Sequence, residues 1–259
     1  MIRFEFLEKN KEKLRLQYLT AKPFPHLVLK DICDEKKLMK AFETIPVLDN
    51  KSRDYMFAKN KFEKSNYGEI SPLLKELQED LRSDEMNGFL SFITVKEVFV
   101  DPKNHGGGLH QGRKSSFLDM HLDYNYHPIN KNWWREMNIL LYMNKNWKPE
   151  YGGQLDLKDL RTGEEKSCDV PFNTLIIQEC HDHTLHGYKP TNFPEGNFRT
   201  SIATYAFSEH VQQIYKPRTT DWFPDKHDDG AIKKWLGRNF TSFVSIKNKL
   251  LGSGTAKNQ

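Results

Sequence analysis

Short runs of β-branched and aromatic residues, separated by turns, fill the chain from about residue 90 onward and limit the folds open to it. The turns include the paired glycines Gly152 and Gly153 and the segment 194–197, which contains both proline and glycine. Many short strands joined by such turns are typical of β-sandwiches and barrels. We therefore predict strands near residues 92–95, 98–100, 117–124, 137–143, 154–157, 174–178 and 198–207.

Helices and one short strand are predicted in the first 90 residues. Asp34 has the side chain of an N-cap for a helix that runs from Glu35 to about Thr44. Ser71 followed by Pro72 marks a second helix start, because proline fits the first helical turn. A β-rich run at 26–29 precedes both. The expected fold class is mainly β with flanking helices.

These patterns divide the chain into three parts. Residues 1–90 form an N-terminal helix and strand segment that packs on the core, residues 91–210 form the β core, and residues 211–259 form a C-terminal extension. Within the extension, residues 231–251 have apolar and basic side chains at helical spacing, which indicates a basic amphipathic helix before a frayed tail. We expect this helix to dock on the domain or to form a dimer contact; the oligomeric state stays open.

Composition narrows the range of partners. Of the 259 residues, 29% are charged and 37% hydrophobic, as in soluble folded proteins. No apolar run is long enough to span a bilayer, and the first nine residues contain charges and no apolar signal core. A net charge of +4 is too small to indicate nucleic-acid binding. We therefore expect a cytoplasmic protein without stable membrane insertion and without a nucleic-acid partner.

The pair His121 and Asp123 is the first candidate for chemistry. Residues two apart on a strand lie on the same face, so both side chains can bind one metal ion. With a distant histidine they would form the two-His-one-carboxylate set that leaves coordination positions open on Fe(II). The pair alone is a weak signal, since an ordinary polar strand face is the commoner explanation of such a pair and a second copy begins at His227.

Downstream residues strengthen this interpretation. Arg199 begins a β-rich run thirteen residues after His186 and shares a strand face with Ser201. Arginine suits a carboxylate ligand because its planar guanidinium donates two parallel hydrogen bonds. Alternation in 138–142 puts Asn138 and Tyr142 on one face, and a phenol beside an arginine would complete a carboxylate pocket. His183 competes with His186 as the distal ligand, but the spacing to Arg199 favours His186.

In this order, the motifs resemble the double-stranded β-helix (jelly-roll) core of the Fe(II)/2-oxoglutarate-dependent dioxygenases, on the prolyl-4-hydroxylase-like branch. The resemblance covers about residues 99–207, less than half of the chain. It rests on His121-Leu122-Asp123, Leu141-Tyr142-Met143-Asn144 with Trp147, Gly152-Gly153-Gln154-Leu155, Leu185-His186-Gly187 and Arg199-Thr200-Ser201.

The resemblance implies an enzyme that couples decarboxylation of 2-oxoglutarate to hydroxylation of an unactivated C–H bond, with O2 as oxidant and ascorbate as a reductant. It implies that His121, Asp123 and His186 are catalytic and bind Fe(II). The co-substrate pocket would contain Arg199, Ser201, Tyr142, Asn138 and Leu155, with Arg199 on the far carboxylate of 2-oxoglutarate. The substrate stays open: a prolyl residue of a protein or peptide, a small molecule or a sugar.

Two alternatives from other classes remain. In the first, the chain is a non-catalytic, metal-containing β-barrel binding protein. In the second, it is a zinc hydrolase that uses the same ligands. Arg199 and Tyr142 count against the first, because a structural metal has no use for a carboxylate pocket.

Residues outside these motifs carry further expectations. Residues 104–116 contain three consecutive glycines and then Arg113 and Lys114, which predicts a mobile lid or a solvated loop. Asp119 is expected to be a hydrogen-bonding neighbour of the metal ligands. Trp222 and the pair 133–134 are either substrate platforms or packing residues.

Overall fold

The computed structural model describes residues 1–49, 57–212 and 217–223. The helices in this part of the chain are α1 (Phe4–Thr20), α2 (Glu35–Glu43), α3 (Pro72–Asp80) and α4 (Asp84–Thr94). The strands are β1 (His26–Lys30), β2 (Ala58–Lys64), β3 (Phe99–Val100), β4 (Gly108–Leu122), β5 (Trp133–Tyr142), β6 (Leu155–Asp159), β7 (Glu165–Cys168), β8 (Thr174–Glu179), β9 (Thr184–Tyr188), β10 (Arg199–Glu209) and β11 (Asp221–Trp222). Short 3₁₀ turns lie at Tyr67–Glu69 and Pro149–Tyr151.

The described strands form one antiparallel sheet that curls toward a barrel. Its main path runs β1-β8-β5-β10-β4-β9-β6-β7, with β2 and β11 paired to β4 and β3 paired to β10. Strand β4 is 15 residues long and therefore contacts several partners in turn. It pairs with β10 and β2 over its first part, and with β9 and β11 where it reaches His121.

The helices cover one face of this sheet. Buried leucines of all four helices join sheet residues in the main hydrophobic cluster, which includes Leu7, Leu38, Leu74, Leu77, Leu90, Ile139, Leu141, Ile177 and Ile202. Alternate residues of β5 belong to the other side, where Tyr142 lies in a second cluster with Leu155 and Leu140 packs against it. Strand β5 thus turns Ile139 and Leu141 toward the helices, and Leu140 and Tyr142 toward the barrel interior.

The helix starts of α2 and α3 have the caps expected from the sequence. The Asp34 carboxylate accepts a hydrogen bond from the backbone N–H of Lys37 at 2.8 Å. The Ser71 hydroxyl accepts one from the backbone N–H of Leu74 at 3.3 Å. Each cap satisfies a backbone donor that has no partner within the helix. Helix α1 was not anticipated, because only Leu7, Leu14 and Tyr18 are buried along its 17 residues.

The prediction of a strand at 92–95 was wrong. Residues 92–94 are the last turn of α4, which begins after the N-cap Ser83 and ends at Val95 in the left-handed region, φ 58°. Met86, Leu90 and Ile93 recur at helical spacing and are buried against the main cluster. This packing outweighs the β propensity of the local run.

The prediction of a mobile lid or a solvated loop at 104–116 was also wrong for most of that segment. Residues 108–116 belong to β4, where Gly112 lies opposite Arg199 of β10 and Lys61 of β2. The Arg113 guanidinium donates to the Leu48 carbonyl at 2.8 Å and lies 4.0 Å from the Phe62 ring centroid. Gly107 is required by close packing, because an added Cβ would lie 2.5 Å from the Ala203 carbonyl oxygen.

Some features singled out in the sequence fall beyond these residues. The predicted C-terminal helix at 231–251, its tail and the second His-x-Asp at 227–229 lie outside the described residues. Among the helices that the structure describes, none combines the length and apolar character needed to cross a bilayer.

Candidate metal centre

Three side chains converge at one end of β4. His121 is next to last in that strand, Asp123 follows its end, and His186 on β9 is the direct ladder partner of His121. The distance from Asp123 Oδ1 to His121 Nε2 is 3.7 Å, and from Asp123 Oδ2 to His186 Nε2 it is 3.3 Å. All three ligand atoms lie within 4.8 Å of one another. The antiparallel register therefore brings together residues that are 63 to 65 positions apart in the chain.

The protonation states of these groups suit a cation. His121 Nδ1 lies 2.9 Å from the Asp119 carbonyl oxygen and donates to it, which leaves Nε2 as the ring nitrogen that faces Asp123. Burial lowers the pKa of His186 to about 3, so its imidazole is neutral. Burial alone would raise the pKa of Asp123, but the Arg135 guanidinium together with His186 and His121 outweighs this effect and holds the pKa well below its usual range. An imidazole nitrogen from each of two histidines and one carboxylate oxygen form the donor set that non-haem Fe(II) accepts.

Arg135 holds the carboxylate of Asp123 and was missed by the sequence reading. Its guanidinium donates to Asp123 Oδ2 at 3.0 Å and to Asn138 Oδ1 at 3.1 Å, and Asn138 Nδ2 donates to the same Asp123 oxygen at 2.8 Å. The guanidinium carbon lies 4.3 Å from the ring centroid of Tyr124 and 3.5 Å from that of Tyr205. Asn138, expected in the co-substrate pocket, thus contacts the Asp123 carboxylate.

A β-bulge explains why alternation could not identify Arg135. Met137 lies opposite Ala206 and Arg135 opposite Phe207, so Glu136 is an extra residue on β5. Strict alternation from Asn138 would turn Arg135 away from the site, and the bulge reverses this. No sequence signal marks the bulge.

The other end of the site contains Arg199, the first residue of β10. Its side chain is only 6% exposed. It donates to the Gly153 carbonyl at 2.7 Å and to the Tyr142 hydroxyl at 3.3 Å, and its guanidinium carbon lies 3.8 Å from the Tyr188 ring centroid. Among the described residues no carboxylate forms an ion pair with it, whereas Arg135, which is also buried, has Asp123.

One cavity of about 200 Å³ connects the two ends. Its wall includes the three converging side chains, Arg199, and the expected pocket residues Tyr142, Ser201, Leu155 and Asn138. Lys61 and Glu63 of β2 and His110 of β4 also line it, and sequence reasoning did not identify them. Lys61 and Glu63 belong to β2, for which no prediction was made, and His110 lies in the part of β4 that was predicted as a lid or loop.

The competing histidines lie apart from this set. The rings of His181 and His183 stack at 5.7 Å, and their Nε2 atoms lie 3.5 and 4.0 Å from Glu179. His183 therefore faces Glu179, while His186 meets Asp123. Asp119 supplies a carbonyl to His121, which agrees with its expected place as a hydrogen-bonding neighbour.

A second cluster of possible ligands, Asp101, His105 and His127, was also missed. His127 Nε2 lies 3.3 Å from Asp101 Oδ2, and His105 Nδ1 lies 2.8 Å from the same oxygen. His127 Nδ1 accepts the backbone N–H groups of Ile129 and Asn130 at 3.2 and 2.9 Å. Nε2 must then carry the proton of the neutral ring and cannot bind a metal. This cluster is a hydrogen-bond network that anchors the loop before β4.

Comparison with known proteins agrees with this architecture. Residues 107–207 match the model of the 2OG-Fe(II) oxygenase superfamily. No curated protein sequence matches the chain.

Solved structures share the fold at low sequence identity. A prolyl hydroxylase from Trichoplax adhaerens, in complex with a hypoxia inducible factor oxygen degradation domain peptide fragment, has a TM-score of 0.57 at 13% identity, covering 79% of this chain and 92% of that chain. A Pseudomonas putida prolyl-4-hydroxylase has a TM-score of 0.54 at 14% identity, covering 78% and 100%. A 2OG-Fe(II) oxygenase family oxidoreductase from Burkholderia pseudomallei has a TM-score of 0.54 at 15% identity, covering 76% and 89%. The predicted jelly-roll core with flanking helices is confirmed.

Proposed function

We propose that this chain, whose β core carries the pattern of the 2OG-Fe(II) oxygenase superfamily, is an Fe(II)- and 2-oxoglutarate-dependent oxygenase that hydroxylates an unactivated C–H bond. One observation carries the proposal. A buried guanidinium without a described carboxylate partner, Arg199, lies in the same cavity as His121, Asp123 and His186. Burying an unpaired charge is costly, so the site favours an anionic ligand beside a metal.

In this proposal His121, Asp123 and His186 hold Fe(II). When bound, iron and 2-oxoglutarate supply the oxidising chemistry that couples decarboxylation to hydroxylation by O2. The protein supplies orientation. Arg135 and Asn138 both bind Asp123 Oδ2, which fixes the rotamer of the carboxylate and keeps it ionised.

Arg199 would bind the far carboxylate of 2-oxoglutarate, with Tyr142 beside it. Burial raises the pKa of Tyr142 in spite of Arg199, so the phenol stays neutral. Because Arg199 donates to the phenol oxygen, the phenol keeps its own proton to donate to a ligand oxygen. Ser201 and Leu155 would complete the pocket. Tyr188 stacks on the guanidinium and shields the charge pair from water, which strengthens it.

The substrate is proposed only as a class. A prolyl residue of a peptide is one candidate, since the Trichoplax adhaerens relative is a prolyl hydroxylase in complex with a peptide fragment; a small molecule or a sugar is another.

We also propose a cytoplasmic location, ascorbate as a reductant, no nucleic-acid partner, and the three-part division at residues 90 and 210. A β-barrel that keeps the metal only for structure would leave Arg199 without a role, and metal content together with 2-oxoglutarate-dependent turnover distinguishes a zinc hydrolase.

The test is release of succinate from 2-oxoglutarate. Fe(II)-loaded wild-type protein should release succinate slowly without a substrate to hydroxylate and faster when its substrate is present. In a separate titration it should bind one Mn(II) per site. His186→Ala should lose Mn(II) binding and turnover, while the control His183→Ala, whose ring faces Glu179, should keep both. A wild-type protein that neither binds Mn(II) nor consumes 2-oxoglutarate would contradict the proposal.

A further inference from the structure

The segment 217–223, here called the clasp, lies outside the matched oxygenase core and against the end of β4 that carries the metal ligands. Trp222 is the ladder partner of His121, and the Phe223 N–H donates to the Met120 carbonyl at 2.7 Å. At the start of the clasp, the Arg218 N–H donates to Asn125 Oδ1 at 2.7 Å. The clasp therefore occupies the side of β4 opposite to β9.

Arg218 connects the two chain segments that supply the ligands. Its guanidinium donates to the backbone carbonyl of Asp123 at 2.6 Å and to Asp182 Oδ1 at 2.9 Å. Asp182 lies in the turn that leads into β9, four residues before His186. One side chain thus holds the end of β4 close to the start of β9. The Asp123 contact is the stronger of the two, since the Arg218 side chain is 15% exposed and Asp182 is 73% exposed.

Trp222 restrains His121 from the side. Its ring centroid lies 4.9 Å from that of His121 at an interplanar angle of 31°, and the indole also stacks on Phe57 at 5.0 Å. Trp222 is 5% exposed. With Nδ1 of His121 held by the Asp119 carbonyl, the indole leaves the imidazole little freedom to rotate. Trp222 and Thr220 also line the cavity.

We propose that the clasp completes the metal centre, with Arg218 and Trp222 as positioning residues for Asp123, His121 and His186. The inference rests on the proposed function, because it requires that these three residues bind a metal. Metal affinity then depends on residues that follow the β core in sequence. By linkage, metal binding stabilises the clasp in return.

The test uses the full chain and Mn(II) as the probe, followed by the EPR signal of the free ion. Arg218→Ala should weaken Mn(II) binding about tenfold or more, as is typical when a partner of a metal ligand is removed. The matched control is Arg161→Ala, since Arg161 also pairs with an aspartate, Asp159, at 2.8 Å, but is 62% exposed and bonds to Asp159 instead of Asp123. That control should bind Mn(II) like the wild type.

Two further readouts separate positioning from general stability. Co(II) should quench tryptophan fluorescence in the wild type, and most of this change should be absent in Trp222→Phe. Mn(II) should slow amide hydrogen exchange at 217–223 in the wild type. If Arg218→Ala does not fold, Trp222→Phe and the exchange measurement decide the question.

The outcomes are distinguishable. If Arg218→Ala binds Mn(II) with wild-type affinity and Co(II) quenching is unchanged in Trp222→Phe, the proposed role of the clasp is wrong and the metal centre still stands. If Arg218→Ala is unfolded, an unchanged Co(II) quenching of fluorescence in Trp222→Phe would overturn the role of the clasp. Amide hydrogen exchange at 217–223 that Mn(II) does not slow in the wild type would overturn it as well. A wild-type chain that binds no Mn(II) would remove the metal centre, and this inference with it.

Discussion

Replacing Arg199 by alanine should remove most of the affinity for 2-oxoglutarate and leave metal binding intact. The guanidinium is bonded to Gly153 and Tyr142 and stacked on Tyr188, and none of these contacts is with the three proposed ligands. The substitution therefore tests the carboxylate pocket without touching the metal set.

The expected magnitude follows from the kind of contact. Hydrogen bonds between ionised groups contribute about 1.5–3 kcal/mol, which corresponds to a roughly 10- to 150-fold rise in the Kd for 2-oxoglutarate. Arg199 is 6% exposed, and low exposure reduces screening by water, so we expect the upper half of this range. Tyr142→Phe removes one neutral hydroxyl and should cost only about 0.5–1.5 kcal/mol.

The assay is a thermal shift of Mn(II)-loaded protein over a series of 2-oxoglutarate concentrations, with calorimetric titration for Kd. A ligand that binds only the native state stabilises it by an amount that rises with the logarithm of concentration over Kd. Each tenfold loss of affinity should remove about 1.4 kcal/mol of this stabilisation, or roughly 3–6 °C in Tm for a chain of this size.

A matched control and a clear refutation exist. Arg3 also donates to a backbone carbonyl, of Asp31 at 3.2 Å, and also lies over an aromatic ring, of Phe6 at 5.7 Å, but it is exposed and outside the cavity. Arg3→Ala should keep the wild-type response to 2-oxoglutarate. An unchanged Kd in Arg199→Ala would show that another group anchors the co-substrate, and loss of Mn(II) binding would show that Arg199 supports the metal instead.

Three further predictions concern packing and charge. Gly187→Ala should weaken Mn(II) binding about tenfold or more by EPR titration, because its Cβ would lie 2.6 Å from the Leu118 carbonyl oxygen and displace the strand of His186. Gly88→Ala, with no atom within 4 Å on an exposed helix face, should raise the free energy of unfolding by about 0.5–1 kcal/mol in urea. Burial would raise the pKa of Asp101, but donors such as His127 outweigh it and lower the pKa, so its stabilisation is present above about pH 4 and lost as the pH falls further. Asp101→Asn should therefore cost about 1–3 kcal/mol at pH 7 and less toward pH 3, and a pH-independent cost in urea melts would contradict this.

Much of the architecture was accessible from local pattern. Period-two alternation placed Asn138, Leu140 and Tyr142 on one face of β5, and the structure has Tyr142 and Leu140 packed on the barrel interior. Cap chemistry at Asp34 and Ser71 predicted two helix starts to within a residue. These features depend on neighbours within a few residues, so the sequence contains their physical cause.

Tertiary structure decided the features that depend on distant contacts. The run at 92–95 became helical because Leu90 and Ile93 pack on the main cluster, and the glycine-rich stretch at 108–116 became a strand because β2 and β10 bond to it. In both cases many long-range contacts outweighed a weak local preference.

The features of the candidate site also divide into those set by the local sequence and those set by the tertiary fold. The sequence alone determined that His121 and Asp123 can face one ion, because that follows from the two-residue period of an extended chain. Only the fold brought His186 opposite His121, turned Arg135 inward through a bulge at Glu136, and laid Trp222 across the imidazole. Each of these depends on how strands register with one another. Register is set by hydrogen bonds and packing across the whole sheet, and no short stretch of sequence contains it.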